Sequence, residues 1–335
     1  MAVSGVADGR TTIALDLRDE LADDLFDAAL RARLAACGAV VRTGGSGDAA
    51  VRADADVLVT GWGTPPLPER REALGRVRLV AHSAGTVRRL VPKSLVADGV
   101  SLSHAAAGMA RSVAELALWF TIGHLRSLHS VDRAMHGGRD WAAAQAVPLG
   151  TTAAGTRIGV VGASRVGRVY IELVRALGAT VPVYDPYLPE AEAERLGVVP
   201  TPLDELLAGC PVVALHAPVT DETRGMLDAR RLALIPDGGV LVNTARSALI
   251  DGPALVAELR SGRISAALDV FDDEPLTPGD PLWELPNVTL TPHIGAATRH
   301  SRRTQGAIVV AEIERFLRGE PLEHAIRADT YDRLA

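Results

Sequence analysis

Short apolar runs alternate with helical patterns along almost the whole chain, and that alternation limits the fold more than any other feature. Thr12–Asp16, Ala39–Arg42, Val57–Thr60, Arg78–Ala81 and Ser101–Ser103 read as strands, with helical stretches such as Asp19–Ala36 between them. A long helical pattern, Ala110–Met135, follows, and GGRDWAAAQAVPLG then breaks the periodicity. From Arg157 the rhythm restarts with a strand to Val161, a helix over Val166–Leu177 and a strand over Thr180–Tyr184. Further strands are expected at Val212–Leu215, Val240–Asn243, Ala266–Val270 and Val288–Leu290, and Ser301–Leu317 is helical. Strands joined through helices must lie parallel, with helices covering both faces of the sheet. The 335 residues suit two domains. With aromatics at only 4 %, their cores are built from Ala, Val and Leu. The expected fold class is α/β, two Rossmann- or flavodoxin-like doubly wound parallel sheets with an interdomain cleft.

Bulk properties narrow the function classes. A net charge of −6 gives no overall attraction to nucleic acid. The two cysteines, Cys37 and Cys210, lie far apart and form no Cys/His cluster, so no metal is expected and both read as buried free thiols. MAVSGVADGR lacks the apolar core of a signal segment. The apolar part of Val113–Leu125 is too short for a bilayer and is interrupted by Glu115 and His124. The expectation is a cytoplasmic protein with no membrane and no nucleic-acid partner.

IGVVGASRVGR (Ile158–Arg168) matches a dinucleotide fingerprint, G-x-G-x-x-G, with Gly162 and Gly167 in the outer places and Ser164 in the middle one, and taken alone it reads equally well as a plain tight turn. It follows a β-branched run and opens a helix, as that motif requires. Asp185 ends the next strand, where a carboxylate accepts the ribose hydroxyls of NAD and repels the extra phosphate of NADP. The middle glycine normally lets the backbone approach the pyrophosphate. Serine there either crowds the phosphates or lends them its hydroxyl, a change of about 1 kcal/mol.

Three polar residues sit just beyond apolar strands: Arg246 in LVNTARSALID, Glu274 in ALDVFDDEPL and His293 in VTLTPHIGAAT. Each alone reads more readily as a solvated loop charge. Together they share the strand exits where α/β sheets bind ligands. A guanidinium holds a carboxylate and polarises a carbonyl. Imidazole exchanges a proton near neutrality, and a buried carboxylate beside it fixes its tautomer. Beside a dinucleotide, this set points to reduction of a 2-oxo acid, with His293 protonating the oxygen.

Seven stretches in order resemble the D-isomer-specific 2-hydroxyacid dehydrogenase family: VAELAL, IGVVGASRVGR, VYDP, LHAPVTDETRGML, LVNTARSALIDGPALVAEL, AALDVFDDEPL and PNVTLTPHIGAAT. They span roughly Ala107–Thr298. The resemblance implies that Arg246 orients the substrate, Glu274 supports the histidine and His293 is the acid/base. It implies NAD contacts at Gly162, Ser164, Arg165, Val166 and Gly167, at Asp185, at Ala217, Pro218 and Thr223, at Thr244 and Ala245, and at Asp269 and Gly295. Asp269 would face the nicotinamide carboxamide. It also implies a discontinuous substrate domain, 1–102 plus 298–335, an NAD-binding Rossmann domain, 103–297, and a homodimer formed through the latter. The substrate is then a small 2-hydroxy/2-oxo acid such as glyoxylate, hydroxypyruvate or a phosphoglycerate-like acid.

The departures fall on the substrate side. HSAGTVRRLVP (His82–Pro92) replaces the family's usual G-x-G-x-D-N-I-D, with Arg88 and Arg89 at its acidic positions, and Met109 stands where asparagine is frequent. Ser83, Ala84 and Gly85 remain the candidates for holding the substrate carboxylate, and Trp62 for lining the pocket. His216 reads as structural, since the resemblance gives the cofactor contacts to its neighbours. Two further readings stay open: an NAD(H)-sensing, corepressor-like binding protein on the same fold, and a dehydrogenase of an unusual acid such as a phosphonate.

Overall fold

A computed structural model describes residues 10–331; the leader reading of residues 1–9 lies outside them. The chain divides into two compact units, Met1–Met109 with Thr298–Ala335, and Ala110–Ala297. The first unit contains β1 (Thr12–Asp16), α1 (Asp19–Leu25), α2 (Ala28–Cys37), β2 (Ala39–Arg42), α3 (Ala49–Asp54), β3 (Val57–Thr60), β4 (Leu79–His82), α4 (Lys93–Ala97) and β5 (Ser101–His104). The second begins with α5 (Ala110–Leu125), α6 (Leu128–His136), α7 (Trp141–Gln145), β6 (Ile158–Val161), α8 (Arg165–Ala176), β7 (Pro182–Tyr184), α9 (Glu190–Leu196) and β8 (Val199–Pro200). It continues through α10 (Leu203–Gly209), β9 (Val212–Leu215), α11 (Ala229–Leu232), β10 (Val240–Asn243), α12 (Gly252–Arg260), β11 (Ser265–Leu268) and β12 (Val288–Leu290). The last helix, α13 (Arg299–Leu317), returns to the first unit.

Both sheets are wholly parallel. The first runs β2-β1-β3-β4-β5, the flavodoxin-like order, with its reversal between β1 and β3. The second runs β12-β11-β10-β9-β6-β7-β8, the Rossmann order with one added strand, and reverses between β6 and β9. Burial explains why these strands were legible. β3, β4, β6, β9 and β10 are buried at every residue, so they read as unbroken apolar runs rather than alternating ones. In the first unit Ile13, Val57 and Leu79 face a core shared with α1, α2 and α13, while Ala14, Leu58 and Val80 face the opposite one. In the second, Val160, Val212 and Val242 pack on Phe120 of α5 and on Ile171 and Val174 of α8.

Three expectations about helices change, and two others with them. The pattern over Ala110–Met135 is two helices, because Ser127 adopts a left-handed conformation (φ 51°) that ends the ladder between α5 and α6. The stretch after α6 holds a short helix, α7, started by Asp140, whose side chain accepts from Ala143 N at 2.9 Å. Asp19–Ala36 is likewise two helices, because Asp27 caps a fresh start through Leu30 N. Cys210 is a buried thiol, whereas Cys37 is only partly buried; burial raises the pKa of both. Ser103 and His104, expected in the second domain, belong to β5, which pairs with β4.

At the end of β1 the first unit buries an ion pair. Arg52 donates to Asp16 Oδ2 from Nε at 2.7 Å, and the two side chains are 6 % and 0 % exposed. Asp16 Oδ1 accepts from Thr43 Oγ1 and Gly47 N, and Arg52 also reaches the Pro65 and Pro66 carbonyls. The pair therefore anchors the loop that follows β3. Removing one partner leaves a buried charge uncompensated. Arg52→Ala should cost about 3–5 kcal/mol in urea unfolding, and a loss below about 1 kcal/mol would show that the pair is dispensable.

Candidate active site

The Ile158–Arg168 turn joins β6 to α8. Gly162 has φ 97°, and a Cβ there would lie 2.5 Å from Ala217 N. A Cβ at Gly167 would lie 2.1 Å from the Gly162 carbonyl oxygen, so no side chain fits. Ser164 has φ −63° and ψ 179°, a conformation open to any residue. Its hydroxyl accepts from Gly167 N at 3.3 Å and caps α8. The serine is thus neither an obstruction in its own turn nor a plain glycine substitute. It satisfies one amide of the helix start, and those of Arg165 and Val166 keep no acceptor among the described residues.

Asp185 ties this turn to the next strand. Its Oδ2 accepts from Ala163 N at 2.8 Å and its Oδ1 from Tyr187 N at 2.9 Å. A carboxylate has about four acceptor sites, so sites remain for hydroxyl donors. On the other side of the β6/β9 reversal, Ala217 is 8 % exposed, and Thr223 donates to the Pro218 carbonyl at 2.7 Å and closes its own loop. Beyond β10, the Thr244 hydroxyl is buried without a partner, an arrangement that a ligand's polar group would resolve. The open amides of Arg165 and Val166 at a helix N-terminus and this orphaned hydroxyl fit a dinucleotide.

Arg246, Asp269 and His293 follow β10, β11 and β12, three neighbouring strands in which Asn243 pairs with Leu268 and Leu268 with Leu290. They leave the sheet at the same edge. Arg246 donates to the Ala245 carbonyl at 2.6 Å. Asn243, 1 % exposed, sets this loop, accepting from Ala245 N at 3.0 Å and donating to the Arg246 carbonyl at 2.8 Å. His293 Nδ1 and Glu274 Oε2 are 2.7 Å apart, and Glu274 Oε1 accepts from Phe271 N at 3.0 Å. The carboxylate was expected to be buried, yet Glu274 is 38 % exposed and His293 42 %, because both stand in loops beyond the sheet. They border a cavity of about 460 Å³ whose other walls include Phe271, Pro275 and Trp283.

Asp269 does more here than the resemblance implied. It is 1 % exposed, and Oδ1 accepts from Thr291 Oγ1 at 2.5 Å and Ile294 N at 2.8 Å, while Oδ2 accepts from Gly295 N at 2.8 Å. These bonds bracket His293, whose φ of 52° is left-handed. Such a conformation costs a non-glycine residue about 1–3 kcal/mol. Three hydrogen bonds to a charged group, each about 1.5–3 kcal/mol, outweigh that strain. Asn243 and Thr291 were not singled out in the sequence. The only available signal was a polar residue ending an apolar run.

In the first unit Ser83, Ala84 and Gly85 follow β4. Ser83 N donates to the Thr60 carbonyl at 2.7 Å, and the amides of Ala84 and Gly85 have no acceptor among the described residues. Two imidazoles brace this turn: His104 Nδ1 lies 3.1 Å from the Gly85 carbonyl, and His82 Nδ1 lies 3.0 Å from Thr60 Oγ1. Burial, then nearby His104, pushes the His82 pKa down to about 3, against a hydrogen bond to the Thr86 backbone. Met109 packs its methyl against Gly85, and Arg88 and Arg89 are exposed.

Residues 118–295 match the family model described as D-isomer specific 2-hydroxyacid dehydrogenase, NAD binding domain. The chain is 33 % identical over 276 residues to D-3-phosphoglycerate dehydrogenase of Methanocaldococcus jannaschii, covering 82 % of this chain and 52 % of that protein. It is 32 % identical over 270 residues to glyoxylate reductase of Korarchaeum cryptofilum, covering 80 % and 81 %. A crystal structure of a Thermus thermophilus protein superposes with a TM-score of 0.82 at 27 % identity, covering 94 % of this chain and all of that one. The chain spans about half the length of the phosphoglycerate dehydrogenases it matches. Among the described residues no helix is long and apolar enough to cross a membrane, and no His/Cys/Asp/Glu group could hold a metal.

Two measurements follow from this geometry. Ser164→Ala should lower stability by about 1 kcal/mol through loss of the helix cap; an unchanged denaturation midpoint would show that the cap is idle. His216, fully buried against Tyr170 at 4.8 Å, has two partnerless nitrogens, and burial pushes its pKa down to about 3. Below its ordinary value of 6.5 the unfolded chain takes up a proton that the folded chain refuses until about pH 3, so stability falls with pH across that window and is complete above it. His216→Leu should shallow this acid loss in calorimetric melts without lowering the midpoint at neutral pH. An equally steep acid loss would contradict the assignment.

Proposed function

Because the chain belongs to the D-isomer specific 2-hydroxyacid dehydrogenase family, we propose that it interconverts a 2-hydroxy acid and its 2-oxo acid, with NAD as cofactor. The observation that carries this reading is the 2.7 Å contact of His293 Nδ1 with Glu274 beyond β12. Bound NAD supplies the hydride acceptor, or as NADH its donor. Glu274 accepts a hydrogen bond from Nδ1–H and fixes the ring, which leaves Nε2 as the atom that exchanges a proton with the substrate oxygen. In the reducing direction Nε2 gives up its proton to the oxygen; in the oxidising direction it takes one from the hydroxyl. Arg246 orients the acid and polarises its carbonyl. Asp185 would accept the adenosine ribose hydroxyls, and Arg165, Val166 and Thr244 would donate to the cofactor. Ala217, Pro218, Thr223, Ala245 and Gly295 form the remaining wall. Asp269 fixes the turn that presents His293 and would border the nicotinamide end of a bound cofactor.

The first unit's part is the Ser83–Gly85 turn. Its open amides suit a substrate carboxylate, and Trp62 lines the same end of the sheet. We further infer a cytoplasmic homodimer formed through the second unit. The unpaired thiols support the first, and the exposed Trp119, Leu128, Met135, Trp141 and Leu149 support the second.

Glyoxylate and hydroxypyruvate with NADH test the reaction. His293→Ala should lower kcat by about 10²- to 10⁴-fold, and Arg246→Ala should lower kcat/KM by about 10²-fold or more. Near wild-type rates in either variant would refute the assignment. Tight NADH binding with no turnover on any 2-oxo acid would favour a sensor instead.

A further inference from the structure

The first sheet has its own reversal, between β1 and β3, and α/β sheets take ligands beyond the strand ends at such a point. Two guanidinium groups and an indole gather there. Arg18 follows β1, and its Nε lies 3.5 Å from the place of a Cβ on Gly63. Trp62 follows β3, and the guanidinium carbon of Arg302, in the first turns of α13, lies 3.9 Å from its ring centroid. A Cβ on Gly61 would lie 2.6 Å from Ser83 Oγ, so the Trp62 loop abuts the Ser83–Gly85 turn.

Arg302 is the anomaly. Its Nη1 is wholly buried without a hydrogen-bond partner, and among the described residues none of its side-chain N–H groups has an acceptor. Asp24 attracts it from beyond bonding distance and Arg18 repels it. Burial, and less strongly Arg18, lowers its pKa, with Asp24 acting in the other direction. Stacking on Trp62 offsets part of the cost, about 2 kcal/mol when desolvated, but it satisfies no N–H. A half-buried cation without an acceptor, next to a second cation at a ligand-binding edge, lacks an anion.

We propose that Arg302, with Trp62 and Arg18, forms a specificity site for the far end of the substrate, selecting 2-oxo and 2-hydroxy acids that carry a second anionic group, a carboxylate or a phosphate. This rests on the Ser83–Gly85 turn as the seat of the first carboxylate. The planar guanidinium fork suits either anion, and the indole face holds the fork in place.

Calorimetry on the full chain with saturating NAD⁺ tests it using two matched pairs, 2-oxoglutarate against 2-oxovalerate and phosphohydroxypyruvate against hydroxypyruvate. In at least one pair the doubly anionic acid should bind about 10-fold tighter or more. Arg302→Gln should shrink that ratio by about 10- to 100-fold, Arg18→Gln by less, and both should keep the wild-type affinity for NADH. A preference confined to the phosphorylated pair identifies the second group as phosphate, and one confined to the other pair as carboxylate. Equal binding within both pairs, or a ratio untouched in both variants, overturns the inference while leaving the dehydrogenase reading in place. No binding of any of the four acids, with NADH still bound, overturns both. Should Arg302→Gln melt early, Arg18→Gln alone decides, since that exposed side chain is not part of the core.

Discussion

The carboxylate of Asp269 governs the geometry of the second unit's strand exits. It stands one residue beyond β11, fully enclosed, and takes three donors from the segment that follows β12. A polypeptide leaving a parallel strand has many ways to turn. This one turns so that His293 sits in a left-handed conformation with its ring against Glu274, a state few residues adopt unaided. The strain at one residue is balanced by charge-assisted bonds at its neighbours, so the His293 imidazole is positioned by the backbone on both sides of it. Glu274 is in turn held by Phe271 N.

Environment separates the histidines into two kinds. His82, His124 and His216 are buried, and burial drives the pKa of each down to about 3. They are neutral packing and hydrogen-bonding groups: His82 braces the turn that follows β4, and His124 lies 3.0 Å from the Thr289 hydroxyl of β12. His293 is exposed and paired with a carboxylate through one nitrogen only. Imidazole chemistry is the same in all four; solvent access and a single oriented partner suit one of them to proton transfer.

The sheet was legible because parallel strands covered on both faces leave an uninterrupted apolar trace, as in Val212–Leu215 and Val240–Asn243. Residues at strand ends were legible only as a set, since one charge past such a run is ordinary but three at neighbouring strand exits share the place where α/β sheets bind ligands. Breaks within helical patterns were not. Ser127 departs from the helix by a local backbone choice that its side chain does not announce, and Asp27 caps a helix inside what reads as one amphipathic stretch. Ser164 was visible as a departure from a motif, but its capping bond depends on the position of Gly167 N. Hardest to read were the residues that act through others. Asn243 sets its own loop two and three residues on, Thr291 and the second use of Asp269 are contacts between loops separated in sequence, and Arg302 meets Trp62 from the far end of the chain.

The proposed reaction turns on one proton: the one between His293 Nδ1 and Glu274, whose presence leaves Nε2 open for proton exchange. Nitrogen-15 NMR of histidine-labelled protein, with the His293 signal assigned by its loss in His293→Gln, reads this directly. Neutral His293 should show a protonated Nδ1 with a downfield hydrogen-bonded proton and an unprotonated Nε2, and Glu274→Gln should abolish that preference. A neutral ring protonated at Nε2, or a tautomer indifferent to Glu274, would contradict it.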